Sequence, residues 1–214
     1  MRRTIGTLGA VVALTMGAVP AMAAHDTNPS PRVQTYTYVL DGVANNSDAS
    51  GWTRLTALPN GKIQVQIHVE NMTPGVPHAQ HLHGITSNGA FVPGDCPTIA
   101  DDTSGDGFVN TLEGAPAYGG VQVSLTTSGD TSTASALAVD RFPVANANGV
   151  LTYNRTFTPD SPAIWAGLDA LEVVVHGQDL NGNGIYDFEA GPSSLTAALP
   201  LEATIPAVCG GPGA

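Results

Sequence analysis

Between Ile63 and Glu70 the chain alternates strictly. Ile63, Val65, Ile67 and Val69 are apolar, while Gln64, Gln66, His68 and Glu70 are polar. Successive strand side chains point to opposite faces, so this is the pattern of a strand buried on one side. His68 falls on the polar face and reads as solvated. Pro59-Asn60-Gly61 stands just before it, and Asn-Gly accepts the positive φ of a tight turn. The pattern therefore predicts a hairpin with Trp52–Ala57. Similar short runs at Val33–Leu40, His78–Ile85, Val121–Thr127, Leu151–Phe157, Ala170–His176 and Leu201–Val208 read as further strands. Asn146-Ala-Asn-Gly149 reads as the turn before Leu151. Beyond the N-terminal stretch, no segment of ten or more residues shows a helical period. Many short strands divided by Gly- and Pro-rich turns predict an all-β fold, a sandwich or a Greek-key β-barrel. There is no internal repeat and no sign of a second domain.

The N-terminal stretch has a different logic. Arg2 and Arg3 precede an apolar run from Ile5 to Val19, and Ala21-Met-Ala23 offers small residues for cleavage. That is the layout of a secretory signal peptide, residues 1–23. Residues 24–32 read as a disordered leader and 33–214 as a single domain. No later stretch approaches the roughly 18 apolar residues that a membrane span requires. The expected location is secreted, periplasmic or cell-envelope. Arg2 and Arg3 are two of the seven Lys and Arg, so the mature chain sets five against 18 Asp and Glu, a formal charge of −13. Such a chain excludes nucleic acid and anionic membranes as partners and favours cations. Cys96 and Cys209 are an even pair, which in an exported protein invites a disulfide; two free thiols are the alternative.

Two kinds of candidate metal chemistry follow. His78-Ala-Gln-His81-Leu-His83 holds three histidines. On a strand, His81 and His83 share a face and can converge on one ion. The alternative is three histidines on a polar surface loop. His176 closes the apolar run Leu171-Glu-Val-Val-Val-His176, which reads as a buried strand delivering its last side chain to a rim. Imidazole suits copper and zinc. The second pattern runs from Asp102 to Glu113. Asp102, Ser104, Asp106, Asn110 and Glu113 stand at positions 1, 3, 5, 9 and 12 of a twelve-residue calcium loop, with Gly107 at the sharp turn and the Phe108 carbonyl at position 7. No flanking helices are evident, so the expectation is a calcium loop set in a β protein. An acidic, glycine-rich surface loop is the alternative. A weaker echo places Asp179, Asn181, Asn183, Ile185 and Asp187 in the same frame. Its twelfth residue is Ala190, which cannot ligate, and Glu189 comes one residue early. A turn held by Asx motifs is the plainer alternative there.

Taken in order, these residues resemble the copper/zinc superoxide dismutases. Asn71-Met-Thr-Pro-Gly75 followed by His78-Ala-Gln-His81-Leu-His83 resembles that family's turn and His-x-x-His-x-His motif. Val173-Val-Val-His176 resembles its later Val-Val-His segment, and Cys96 and Ala207-Val-Cys209-Gly-Gly resemble its two disulfide segments. The resemblance covers most of the mature chain and lies in the order of short motifs. It implies a Greek-key barrel, copper on His81, His83 and His176, a Cys96–Cys209 disulfide, and superoxide as substrate. His78 would then orient a ligand from outside the metal's shell. The chain departs from the family at two points. No histidine occurs between His83 and His176, so there is no bridging or zinc histidine, and the family's superoxide-steering arginine is replaced by Pro206. The implied site is therefore copper-only. Arg141 or Arg155 would have to fold over it to attract an anion. Separately, Gly61 to Val69 and Pro77 to Gly84 resemble the chordin-type (CHRD) domain, which implies a non-catalytic, secreted metal-binding or structural β module.

Overall fold

The computed structural model describes residues 32–43, 45 and 47–214. The stretch read as a signal peptide and nearly all of the expected leader lie outside the described residues. The chain forms strands β1 (Gln34–Gly42), β2 (Ser50–Ala57), β3 (Ile63–Glu70), β4 (Gln80–Ser87), β5 (Ala90–Val92), β6 (Gly120–Ser124), β7 (Leu151–Phe157), β8 (Glu172–His176) and β9 (Pro206–Gly210). Three short helices interrupt them: α1 (Thr111–Tyr118), α2 (Pro162–Ala166) and α3 (Leu201–Thr204). The strands form one curled sheet in the order β5-β4-β8-β9-β1-β2-β3-β7, with β6 also paired to β4, and each of these pairs is antiparallel. The fold is all-β, of the barrel or sandwich class.

The alternation in β3 does what it predicts. Ile63, Val65, Ile67 and Val69 are buried, and they meet Leu55 of β2, Leu151 and Tyr153 of β7, and Val173 and Val175 of β8 in one core. Gly61, in the β2–β3 turn, has φ +77°, the left-handed conformation that the Asn-Gly pair anticipates. His68 lies on the outer face near Glu70, 3.3 Å away.

The outer face of β4, β8 and β9 carries the chemistry. Leu82 of β4 and Val173, Val175 and Val208 enter the core. Their neighbours in sequence, His81, His83, Glu172, Val174, His176 and Cys209, therefore point outward. That face is nonetheless buried, because the segment from Cys96 through α1 lies across it. A disulfide joins Cys96 to Cys209 with a Cα–Cα distance of 5.7 Å. It closes a separation of 113 residues. In the chain-entropy picture a loop that long contributes about 5 kcal/mol.

Several expected strand ends move, β6 stopping at Ser124 and β8 starting at Glu172 among them, and three departures have a physical reason. Leu201–Val208 is not one strand: Leu201–Thr204 is the helical turn α3, and β9 begins at Pro206. The turn is needed to carry Glu202 under the second acidic loop, where both its oxygens accept main-chain N–H groups. β4 begins at Gln80 rather than His78, because the His78 ring turns inward and uses both nitrogens. α1 spans eight residues, too short for a ten-residue window to register, and is fixed by a cap: Asn110 accepts from Leu112 and Glu113 while Glu113 reaches back to Asn110.

Candidate metal centre

His81 and His83 leave β4 on the same face, and His176 ends β8 beside them. Cross-strand pairing sets His81 against Val174 and His83 against Glu172. The ladder shifts by a bulge at Leu82/His83 against β6 and at Val175/His176 against β9. Such shifts re-aim side chains. The three ring centroids lie 5.2 to 5.8 Å apart. Among the described residues they form a group whose ligand atoms all lie within 4.8 Å of one another.

Each imidazole is oriented through one nitrogen. His81 Nε2 donates to the Ala136 carbonyl at 3.1 Å, His83 Nδ1 to Gly119 at 2.9 Å, and His176 Nδ1 to Thr204 at 2.8 Å. These bonds fix the tautomers. They leave His81 Nδ1, His83 Nε2 and His176 Nε2 buried and without a partner. A buried nitrogen left unpaired is costly, and three that converge are the donor set of a metal site. Ligating histidines normally donate their second N–H in this manner. Burial keeps all three rings neutral. It pushes His83 down to about 3 and His176 down to about 4, and holds His81 well below the ordinary range, where the neighbouring His176 and His83 add to it. The lone pairs are thus free for a cation over a wide pH range. The residues present fit a copper or zinc ion.

A cavity of about 360 Å³ opens over the three rings. Leu112, Leu137, Leu195 and Val121 form much of its wall, Tyr118 packs 4.4 Å from the His83 ring, and among the described residues no Lys, Arg, Asp or Glu lines it. The two candidate arginines are engaged elsewhere. Arg141 donates to the Ser128 and Asp130 carbonyls and to Ser135 Oγ, and Arg155 donates to the Thr126 and Gly129 carbonyls. His78 also stands outside the group. It is fully buried, donates from Nε2 to the Thr73 carbonyl at 3.0 Å, and accepts at Nδ1 from the Tyr186 hydroxyl at 3.0 Å. Its Nδ1 lies 3.1 Å from the main-chain carbonyl of His176, a contact with that residue's backbone and not its ring; with Nδ1 accepting from Tyr186, that contact is not a hydrogen bond.

The two acidic loops share one architecture. Asp102 accepts from Gly105 at 2.7 Å and Gly107 at 2.9 Å; Asp179 accepts from Gly182 at 2.7 Å and Gly184 at 2.6 Å. The fifth side chains, Asp106 and Asn183, accept from Phe108 and Ile185. Gly105, Gly107, Gly182 and Gly184 all have φ between +75° and +91°. The loops differ in how they close. In the first, Glu113 binds the N–H of Thr103 through Oε1 and of Asn110 through Oε2. In the second, the same two positions are Leu180 and Asp187, and both are held by Glu202, at 2.7 and 2.8 Å. Glu202 is fully buried and comes from α3, so it supplies the carboxylate that Ala190 cannot. The expectation that no helix flanks the first loop is corrected at its exit: a 3-10 turn at Ile99–Asp101 enters the loop, and the α-helix α1 leaves it, started by the Asn110–Glu113 cap. Ser104 bonds Asp102, and Asn181 bonds Asp187 and Glu189.

Sequence reasoning misses Glu202 and the three orienting carbonyls. No local signal could find them: Glu202 lies outside the loop's own frame, and a main-chain carbonyl is the same at every residue. No family model and no curated protein matches the chain. Among solved structures it is similar to the crystal structure of the clock protein EA4, at 15% identity and a TM-score of 0.37, over 87% of this chain and 96% of that one.

Proposed function

We propose that this chain is an exported copper-binding protein of superoxide dismutase-like type, with a copper-only centre on His81, His83 and His176 and calcium-binding loops beside it. One observation carries the reading. Each of the three histidines spends one ring nitrogen on a main-chain carbonyl and presents the other, buried and unpartnered, to a common point. Copper over zinc follows from the resemblance of the His-x-His and Val-Val-His segments. Bound copper would supply the one-electron chemistry that takes an electron from one superoxide and returns it to a second, which leaves as peroxide with two protons.

The chain's own residues hold, orient and shield. Gly119, Thr204 and Ala136 set the ring planes. Leu112, Leu137 and Leu195 keep the approach apolar and limit the water beside the rings. Asp102, Ser104, Asp106, Asn110 and Glu113, with the Phe108 carbonyl, would hold one calcium ion. Asp179, Asn181, Asn183 and Asp187, with the Ile185 carbonyl and Glu202 in the closing role, would hold another.

A second reading is a secreted, non-catalytic copper-holding or structural module of the chordin type. It is favoured by the absence, among the described residues, of any charged side chain along the cavity wall. An anion meets no cationic focus there, and the chain carries a net charge of −11.

Metal content and superoxide turnover of the exported, desalted protein test the proposal. About one copper per chain, lost in H176A, is expected, with turnover that rises rather than falls with ionic strength, because salt screens the repulsion of an anion by a negatively charged chain and there is no attraction to weaken. Copper without turnover retires the enzyme in favour of the holding module. No copper, even after loading, overturns the assignment of the histidines.

A further inference from the structure

One buried group plays no part in the histidine centre or the loops. Glu172 opens β8 and is fully buried; the main-chain N–H groups of Gly213 and Gly94 face it, but among the described residues neither carboxyl oxygen has a well-formed hydrogen bond. Leaving a carboxyl in that condition costs free energy unless something else is gained. The setting is tightly built around it: a Cβ at Gly211 would stand 1.7 Å from a Glu172 oxygen, so only glycine lets the C-terminal tail close here. Burial pushes this carboxyl above its ordinary range, and the negative charge of Asp95 adds to that against the opposing pull of the Gly213 and Gly94 amides.

Its neighbours are the two sulfurs. Cys209 stands opposite Val174 in the β8–β9 ladder, and Glu172 lies two residues from Val174, on the same face. A carboxyl oxygen of Glu172 and both cysteine sulfurs lie within 4.8 Å of one another. A cavity of about 930 Å³, lined by Asp41, Asp95, Cys96 and Cys209 among others, gives solvent a route to them. With the disulfide open, two thiolates and a carboxylate so close together repel one another unless a cation sits among them.

We infer that the dithiol form of this protein holds a divalent cation of the zinc class between Cys96 Sγ, Cys209 Sγ and the Glu172 carboxylate, apart from the histidine centre. Thiolate and carboxylate are both zinc ligands, and three protein ligands leave a fourth position for water. The chemistry balances with a thiol reductant. Reduction breaks the S–S bond, consumes two electrons and two protons, and yields two thiols while the reductant forms its own disulfide. The cation then displaces both thiol protons, and a third if Glu172 enters as the neutral acid. In the newly made, still reduced chain the same cation delays oxidation, because thiolates bound to it are not free to form the disulfide.

Cobalt(II) is the probe, because thiolate-to-cobalt charge transfer absorbs in the near ultraviolet and histidine-bound cobalt lacks that band. Metal-free protein is reduced with a phosphine, and its fold is followed by near-ultraviolet circular dichroism. A charge-transfer band that saturates at one cobalt per chain is expected in the reduced protein, and no such band in the disulfide form, where any cobalt sits on histidine or oxygen ligands. E172Q should weaken that cobalt about tenfold or more, and its disulfide form shows that the variant folds. An H81A/H176A variant should keep the band, so failure of the histidine assignment reads out separately. No band, equal affinity in E172Q, or a reduced chain that stays unfolded with and without cobalt overturns the inference.

Discussion

The histidine cluster and the acidic loops, the two kinds of proposed cation site, are built in opposite ways. The histidines are buried and neutral, and each offers a nitrogen that nothing in the protein satisfies. The carboxylates of Asp102, Glu113 and Asp179 lie near the surface, and the loop's own N–H groups already satisfy them. The first site is held open by tertiary structure whether or not a metal is present. The second is held closed by local hydrogen bonds that a metal must compete with or share. Preorganisation of the histidines therefore comes at the expense of stability, while the loops' own hydrogen bonds add stability without an ion. The second loop is an intermediate case: its geometry is local, but its closing carboxylate, Glu202, is a buried group from α3.

Acid should separate the two kinds of site with the largest effect. His83 and His176 fall from the ordinary 6.5 to about 3 and about 4 in the folded chain, so the unfolded chain binds more protons in that interval. The metal-free protein should lose stability as pH drops from 6.5 towards 3, by several kcal/mol in denaturant titrations, and H83N/H176N should flatten that slope. The loop carboxylates have the opposite shift. Asp102 is held low by the amides of Gly107 and Gly105, and Asp187 by the amide of Glu189 and the side chain of Asn183. Glu113 is held low against the pull of burial by Asn110, Ser104 and Thr103. Their contribution is present above the ordinary carboxylate range and vanishes only as pH falls below about 4. A single acid transition confined below pH 4 would erase the distinction.

Next in size is the buried closing group. E202A leaves the N–H groups of Leu180 and Asp187 unpaired, and should cost about 3 kcal/mol without any metal. E113A removes a half-exposed carboxylate and its capping interaction, and should cost about 1 kcal/mol. Equal costs in thermal unfolding would place the two closing carboxylates in the same class.

Calcium comes third. Saturating calcium at about 100 times its dissociation constant should add about 2.7 kcal/mol per occupied loop, raising Tm by several degrees. E113A should remove the share of one loop and E202A that of the other. A rise of less than a degree in the unmodified protein would show that neither loop binds.

The smallest effect joins the two kinds of site. α1 leaves the first loop and ends at Tyr118 and Gly119, which pack against and orient His83. α3 carries Glu202 to the second loop and Thr204 to His176. Calcium should therefore tighten copper binding by a few-fold, about 1 kcal/mol or less, measurable by competition with a copper chelator. Equal copper affinity with and without calcium would make the centre and loops independent.

Much of this was legible along the chain. The alternation of β3, the Asn-Gly turn, the His81/His83 pair and the glycine-punctuated acidic frames each rest on a local period or spacing, and local backbone physics is what a sequence displays directly. α1 and α3 were not legible, because helices of eight and four residues bury too few side chains to leave a period. The fate of Arg141 and Arg155 was open as well, since nothing local says which carbonyls a long side chain will find.

What the sequence alone determined is the list of parts: strand faces, turns, and the residue types able to hold a cation. Tertiary structure alone decided which parts meet. It brought His176 to His81 and His83 across the β4–β8 ladder, gave the second loop its carboxylate from α3, and set Glu172 beside the disulfide. The physical reason is that strand periodicity fixes only the side of the sheet a residue takes. Strand order and register, set by packing one common core, fix its neighbours.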